Sequence, residues 1–209
     1  MARHKEFDTI EVLDHAMLLF WEKGYEATSI EDLIEATGIK RGSLYGTFGD
    51  KEGLFLAVLE RYSETQVRRL IVELNDPDPR RAIECLFESI LSRKNRRELP
   101  PGCLMTNTLL ECRGSGDRIT QAVKRHLGQF ELAIYSVLCR AKSEGSLSTA
   151  CNTKALAHFY FGVVQSLNVM SHAGIDPEMR RNTARVALDA WYGDQGRHRV
   201  SLRPASSSR

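Results

Sequence analysis

The segment between Gly38 and Gly49 holds the side chains whose chemistry is most distinctive. It places basic, hydroxyl-bearing and very small residues around one large apolar residue, Leu44. If the segment is helical, its outer face consists of Lys40, Arg41, Gly42, Ser43, Tyr45, Gly46 and Thr47. These small or hydrogen-bonding groups suit a helix that enters the major groove of DNA, which is about 12 Å wide. A helix packed on both sides has little use for two glycines and a threonine on its outer face.

The residues before this segment predict a second, shorter helix. Ser29 suits an N-cap with Asp32 three residues later, and Gly38 suits the turn that ends the helix. A helix, a glycine turn and a second helix from about residue 40 to 48 form the spacing of a helix-turn-helix. The spacing alone leaves two interpretations open, a DNA-binding helix-turn-helix and a plain helical hairpin with a polar face.

Helical periodicity continues through most of the chain, and no alternating strand pattern is found. An apolar stripe predicts a first helix that ends near Gly24, and Asp50 predicts the cap of a helix that starts near Lys51. Further helices are predicted at about 80–92, 106–113, 117–144, 153–172 and 177–191. We predict an all-α fold with a helix-turn-helix domain at 1–50, a linking helix at 51–74, a ligand-binding and dimerisation domain at 75–192 and a disordered tail at 193–209.

Composition restricts the possible classes of protein. The chain of 209 residues is 42% hydrophobic and 27% charged, has no apolar run of membrane-spanning length and begins with a polar segment, so we expect a cytoplasmic protein. The five cysteines are widely spaced and form no CxxC pair, so we expect reduced thiols. We predict no metal site and no cofactor. Residues 1–53 contain 11 acidic and 6 basic residues, so DNA binding depends on where the basic groups lie.

Residues 28–62 resemble the signature of the TetR family of regulators. The matching features are Leu44 and Tyr45 in the second helix, Phe48 three residues later and Lys51 at the next helix start; residues 20–25 match as well. The resemblance implies that Tyr45, Lys51 and the hydroxyl of Thr28 contact phosphates. It implies base-edge contacts from Arg41, Gly42, Ser43 and Thr47. Many relatives carry bulkier residues where this chain has Gly46 and Thr47, so those contacts are expected to be smaller.

The last two predicted helices suit pairing with a second copy of the chain. The helix at 153–172 is apolar on more than one side, and the resemblance implies a four-helix dimer interface. The residues expected in the homodimer contact are Phe159, Val163, Leu167, Val186 and Trp191. The alternative is a helix buried in the core of a monomer.

Residues 101–111 resemble the GCL-x-x-N-T-x-x-E stretch of one TetR subgroup. The residues expected around a small-molecule effector are Cys103, Met105, Asn107, Glu111, Tyr135 and Phe159. Cys103 follows a glycine near a helix start, so it is either a thiol sensor of oxidants or electrophiles, or a small buried residue. Asn107 and Glu111 either face a cavity or bond each other and a neighbouring backbone.

Two other classes of protein fit the sequence less well. The sequence contains no GxSxG elbow, no phosphate loop and no HExxH pair, which argues against an enzyme. A helical interaction module without DNA leaves the polar face around Arg41 unexplained. We therefore expect a homodimeric repressor that binds a palindromic double-stranded operator. A small molecule is expected to release it by moving the linking helix.

Overall fold

The computed structural model describes residues 7–92, 99–111 and 117–191, and within these ranges it contains helices and no strand. The helices are α1 (Thr9–Lys23), α2 (Ile30–Thr37), α3 (Arg41–Phe48), α4 (Lys51–Tyr62), a π-helical turn (Ser63–Val67), α5 (Arg68–Glu73), α6 (Pro79–Ser92), α7 (Leu104–Glu111), α8 (Asp117–Ser143), α9 (Thr153–His172) and α10 (Pro177–Asp189). The prediction of an all-α fold is confirmed. The predicted tail at 193–209 lies outside the described residues. None of the described helices is long and apolar enough to cross a membrane.

Side-chain caps fix the first turns of α2 and α4 in the N-terminal part of the chain. Ser29 accepts a hydrogen bond from the amide of Asp32 at 3.1 Å, and Asp32 accepts one from the amide of Ser29 at 2.7 Å, which completes the expected capping box. The Lys23 ammonium, followed by the hydroxyl and amide of Ser29, lowers the pKa of the Asp32 carboxyl. Asp50 accepts from the amide of Gly53 at 2.7 Å. Because a helix of eight residues is marginal alone, the capping box matters most for α2, while Asp50 caps the longer α4.

Aromatic packing joins α1 to α4. The ring centroids of Phe20 and Phe55 are 4.7 Å apart, and those of Trp21 and Tyr62 are 5.1 Å apart in an edge-to-face arrangement. Arg61 on α4 also donates to both carboxylate oxygens of Asp14 on α1, at 2.7 and 2.9 Å. The helix-turn-helix is thus anchored on the first half of the linking helix.

The linking helix continues past α4 without a break. It passes through the π-helical turn and α5 to Glu73, in agreement with the predicted helix at 51–74. The π-helical turn had no signal in the sequence. Its last residue, Val67, and Leu70 on α5 are buried in the same hydrophobic core that contains Phe55 of α4. A single core therefore extends from the helix-turn-helix into the C-terminal half.

The C-terminal half is built around the antiparallel pair α8 and α9, with α6, α7 and α10 packed against it. The 27 residues of α8 give a length of about 40 Å. α7 begins at Leu104, two residues earlier than predicted. The carbonyl of Cys103 accepts from the amide of Asn107 at 2.9 Å, so the helical hydrogen bonds begin at Cys103.

We predict that Gly53→Ala destabilises the protein, whereas Gly46→Ala does not. A Cβ at Gly53 would lie 2.0 Å from the carbonyl oxygen of Phe48, where α4 starts beside the end of α3. A Cβ at Gly46 would meet nothing within 4 Å. Urea unfolding should show a loss of about 1–3 kcal/mol for the first variant. For the second variant the free energy of unfolding should be unchanged or should rise by up to about 1 kcal/mol, because alanine is a better helix former than glycine. Equal midpoints for the two variants would contradict the close approach of α3 and α4.

Candidate nucleic-acid interface and interior cavity

α3 presents an open polar strip to the surface. Leu44 is fully buried and fixes the helix, while the next residue, Tyr45, is 40% exposed. Gly42 and Gly46 lie one turn apart on the exposed side, and a Cβ on either would meet nothing within 4 Å. Lys40 and Arg41 are exposed, and Ser43 and Thr47 are half-buried. The strip is therefore shallow enough for the backbone of α3 to approach a ligand surface closely.

Arg41 is paired with an acidic residue that sequence reasoning missed. Its guanidinium donates to the carboxylate of Glu31 on α2, and both side chains are exposed. An exposed pair of this kind is weak, and arginine keeps further N–H donors for another acceptor. The two residues are ten positions apart, so the contact depends on the angle between α2 and α3, which no sequence pattern gives.

Lys51 is held in place beside the turn between α1 and α2, residues 24–29. Its Nζ lies 4.5 Å from the centroid of the Tyr25 ring and 3.4 Å from the carbonyl oxygen of Glu26. Lys51 is also the first residue of α4, where free amides and the helix dipole favour an anion. The start of α4 therefore combines an ammonium with a helix N-terminus, and both favour an anion.

The prediction that Thr28 contacts a phosphate is wrong for this structure. Thr28 is buried, and its hydroxyl donates to the carbonyl oxygen of Gly24 at 2.5 Å. The neighbouring Ser29 is the N-cap of α2, so Thr28 lies just outside the helix and closes the turn. Its role is to shape the turn that holds Lys51.

A small cavity of about 20 Å³ lies inside the C-terminal half. Residues of the linking helix, α8 and α9 line it together with Cys103, which precedes α7. The lining includes Tyr62, Val67, Leu70, Cys103, Leu127, Phe130, Val164, Gln165 and Asn168. The hydroxyl of Tyr62 donates to Sγ of Cys103 at 3.3 Å. The cavity is apolar for the most part, with polar groups grouped near Cys103 and α9.

Cys103 lines this cavity, whereas the other five residues expected around the effector lie elsewhere. Met105 is fully buried in the core. Asn107 faces α9, with its Nδ2 3.2 Å from Nδ1 of His172. Tyr135 lies beside Cys139, whose hydrogen bond raises the pKa of the tyrosine. Phe159 is exposed on the outside of α9. Helical spacing selected these residues, but it does not reveal which helix each face meets.

Glu111 does not point into the cavity. Its carboxylate lies at the surface and accepts hydrogen bonds from the amides of Tyr25 at 3.0 Å and Glu26 at 2.6 Å. The alternative that it bonds a neighbouring backbone is correct, and that backbone belongs to the turn between α1 and α2. A contact 86 residues away in sequence had no signal in the sequence.

An apolar groove of about 650 Å³ runs along the outside of α9 and α10. Phe159, Val163, Met179 and Val186 line it. Phe159, Met179 and Val186 are 46%, 55% and 64% exposed, so the groove is a continuous exposed apolar surface.

Two of the predicted dimer residues lie in the protomer's own core. Leu167 is 1% exposed, and Trp191 is 6% exposed with its Nε1 donating to the carbonyl oxygen of Ser146 at 3.1 Å. Placing them in an interface was wrong, because α9 is apolar on two sides and Leu167 is on the inner one. Phe159, Val163 and Val186 are on the outer side.

Comparison with known proteins places the chain in a family. The sequence model for bacterial regulatory proteins of the tetR family matches residues 12–58, and that for the tetracyclin repressor-like C-terminal domain matches residues 79–187. The chain is similar to the HTH-type transcriptional repressor ComR of Escherichia coli K12, with 32% identity over 192 residues and 91% of each chain covered. It is similarly related to the HTH-type transcriptional regulator YezE of Bacillus subtilis 168, at 32% identity over 90% of this chain and 98% of YezE.

A solved structure gives the same result. A cysteine mutant of the TetR family regulator CifR, complexed with 26-bp double-strand operator DNA, superposes with a TM-score of 0.84 and 30% identity. The match covers 90% of this chain and 100% of CifR. The chain therefore belongs to the TetR family and is a TetR-type helix-turn-helix transcriptional regulator, a class of proteins that are not enzymes.

Proposed function

We propose that this regulator is a homodimeric repressor that binds a palindromic operator in the cytoplasm and is released by a small molecule. The observation that carries the proposal is the open strip on α3 beside the ammonium of Lys51, which lies against the Tyr25 ring and the carbonyl oxygen of Glu26. The relatives give additional support, since ComR is named a repressor and CifR is seen on operator DNA. We assign DNA binding to residues 1–50, the link to residues 51–74, and dimerisation and ligand binding to residues 75–192.

In this proposal α3 lies in the major groove and two cations contact the DNA in different ways. Arg41 donates hydrogen bonds to base edges, either after breaking its ion pair with Glu31 or while keeping it. The small Gly42 and Gly46 let the backbone of α3 approach the bases. Tyr45 and Lys51 contact phosphates and fix the register without reading sequence. The carboxylate of Glu31 lies beside Arg41 and repels phosphates, so non-specific affinity is expected to be modest and sensitive to salt.

Lys51→Gln is expected to weaken binding to all DNA sequences by a similar factor. Losing one phosphate contact should reduce the slope of log affinity against log salt concentration by about 1. Fluorescence anisotropy at several salt concentrations measures both quantities. Lys124→Gln is the matched control, because Lys124 is exposed on α8 in the other half of the chain. The phosphate contact is refuted if the two variants have equal slopes.

The apolar groove on α9 and α10 is the proposed contact with a second copy. The groove is apolar on the outer side of the two helices that the sequence predicted to pair. A two-fold axis would place the same groove of both copies face to face, with Phe159, Val163 and Val186 as anchors. Such a dimer presents two α3 helices to half-sites one DNA turn apart, about 34 Å.

Val186→Asp is expected to convert the dimer into a monomer and to abolish tight operator binding. The substitution places a carboxylate in the middle of an apolar interface, where desolvation is costly. Val72→Asp is the control, because Val72 is similarly exposed (60%, against 64% for Val186) and lies on α5, away from the groove. Sedimentation velocity distinguishes the states. A Val186→Asp protein that still sediments as a dimer would remove this groove as the interface.

Ligand release is proposed from the size and position of the cavity. A volume of about 20 Å³ has room for about one water molecule, far less than the roughly 300 Å³ of a typical ligand pocket. A ligand must therefore displace some of the lining helices. The π-helical turn ends at Val67 on the cavity wall, and such turns are common at functional sites. Displacing the linking helix would change the distance between the two α3 helices and disrupt docking.

Covalent modification of Cys103 is the alternative signal. Its thiol reaches the cavity, so alkylation would add bulk where there is no room for it. We expect iodoacetamide to release operator DNA as Cys103 is modified, and Cys103→Ser to remain bound. Both proteins should carry serine in place of the other four cysteines, Cys85, Cys112, Cys139 and Cys151, so that a reaction with any of them does not confuse the result. Intact mass gives the extent of modification. Equal release from the serine variant, or full modification with DNA still bound, would eliminate a thiol signal.

A further inference from the structure

The end of α7 binds the turn between α1 and α2. The Glu111 carboxylate accepts from two consecutive backbone amides, those of Tyr25 and Glu26, with one oxygen for each amide. These two amides belong to the turn at residues 24–29, between α1 and α2. A charged acceptor makes such bonds stronger than neutral ones. This arrangement is a clamp that the C-terminal half places on the helix-turn-helix.

The turn is shaped to receive this carboxylate. Gly24 has a φ of +88°, a conformation that favours glycine. A Cβ at Gly24 would lie 2.7 Å from one carboxylate oxygen of Glu111 and 2.8 Å from the other. Glycine therefore meets two needs here, because it allows the chain to turn after α1 and leaves room for the carboxylate.

The clamped residues are the same ones that hold Lys51. The Nζ of Lys51 lies over the ring of Tyr25 and near the carbonyl oxygen of Glu26. Glu111 binds the backbone amides of the same two residues. A shift of this turn would move the ring and the carbonyl oxygen that position the ammonium.

We infer that Glu111 is a positioning residue for DNA binding, which acts by fixing the turn that holds Lys51. The inference rests on the proposed function, since Lys51 is taken to contact a phosphate. α7 spans about 12 Å, from Cys103 at the cavity to Glu111 at the clamp. The C-terminal half thereby sets the placement of a DNA-contacting cation through one short helix.

The test compares operator binding by four variants of the full-length dimer. The variants are Glu111→Ala, Glu111→Gln, Lys51→Gln and the double variant Glu111→Ala with Lys51→Gln. Arg118→Ala is the control, because it removes a different contact between the halves, the ion pair of Arg118 with Glu52 at 3.0 Å. The probe is a fluorescein-labelled duplex carrying the genomic fragment that the wild-type protein selects most strongly. Circular dichroism and sedimentation establish that each variant is folded and dimeric.

We expect Glu111→Ala to weaken operator binding by about tenfold and to reduce the salt slope by about 1, as for one lost phosphate contact. Added to Lys51→Gln, the same substitution should have little further effect, since both act on one contact. Glu111→Gln keeps an acceptor oxygen for one amide and should recover part of the affinity. Arg118→Ala should stay within about twofold of the wild type, as is usual for an exposed ion pair.

The inference is overturned if Glu111→Ala matches the wild type in affinity and slope. It is also overturned if Glu111→Ala reduces affinity by the same factor with and without Lys51 and leaves the slope unchanged, because Glu111 would then contribute only to stability. A wild-type protein that selects no fragment over random DNA would instead refute the proposed function. The two failures are therefore distinguishable.

Discussion

The packing of α4 against both halves of the chain is the constraint on which the rest of the structure depends. Phe55 and Tyr62 contact the aromatic residues of α1, and the hydroxyl of Tyr62 also donates to Cys103 at the interior cavity. α4 therefore packs against α1 in the N-terminal half and also lines the interior cavity of the C-terminal half. Because packed cores resist gradual deformation, the displacement that we propose at the cavity would be passed along α4. The clamp of Glu111 on the turn after α1 gives a second, polar connection between the halves.

The DNA-facing surface shows that the position of charges matters more than their sum. The N-terminal 53 residues have an acidic excess, yet acidic residues near the interface are paired, Glu31 with Arg41 and Asp32 with Lys23. An open strip on α3 and the well-held Lys51 remain available to DNA. The few phosphate contacts that we propose would favour a regulator that leaves random DNA readily and depends on its base contacts for residence at the operator.

Local signals in the sequence were sufficient for the helices and for the strip on α3, but not for contacts between helices. Ser29, Gly38 and Asp50 act within four residues of themselves, so their capping and turning roles were predictable. Leu167, Trp191 and Glu111 were misplaced because an apolar or charged residue on a helix does not reveal which neighbour its face meets. Thr28 was misplaced because a hydroxyl next to an N-cap is equally able to bond its own turn, as it does here. The family resemblance identified Lys51 as a candidate DNA contact, and the structure shows which groups position its ammonium.

The measurement that tests the central claim most directly is a fluorescence-anisotropy titration of the wild-type protein against DNA from its own upstream intergenic region. It should be made at low and moderate salt, with random DNA as competitor and with the stoichiometry determined at saturating protein. The account predicts tight binding that survives the competitor, weakens steeply with salt and saturates at two or a multiple of two subunits per site. Binding no tighter than to random DNA there, together with failure of a genome-wide selection to enrich any fragment, would contradict it.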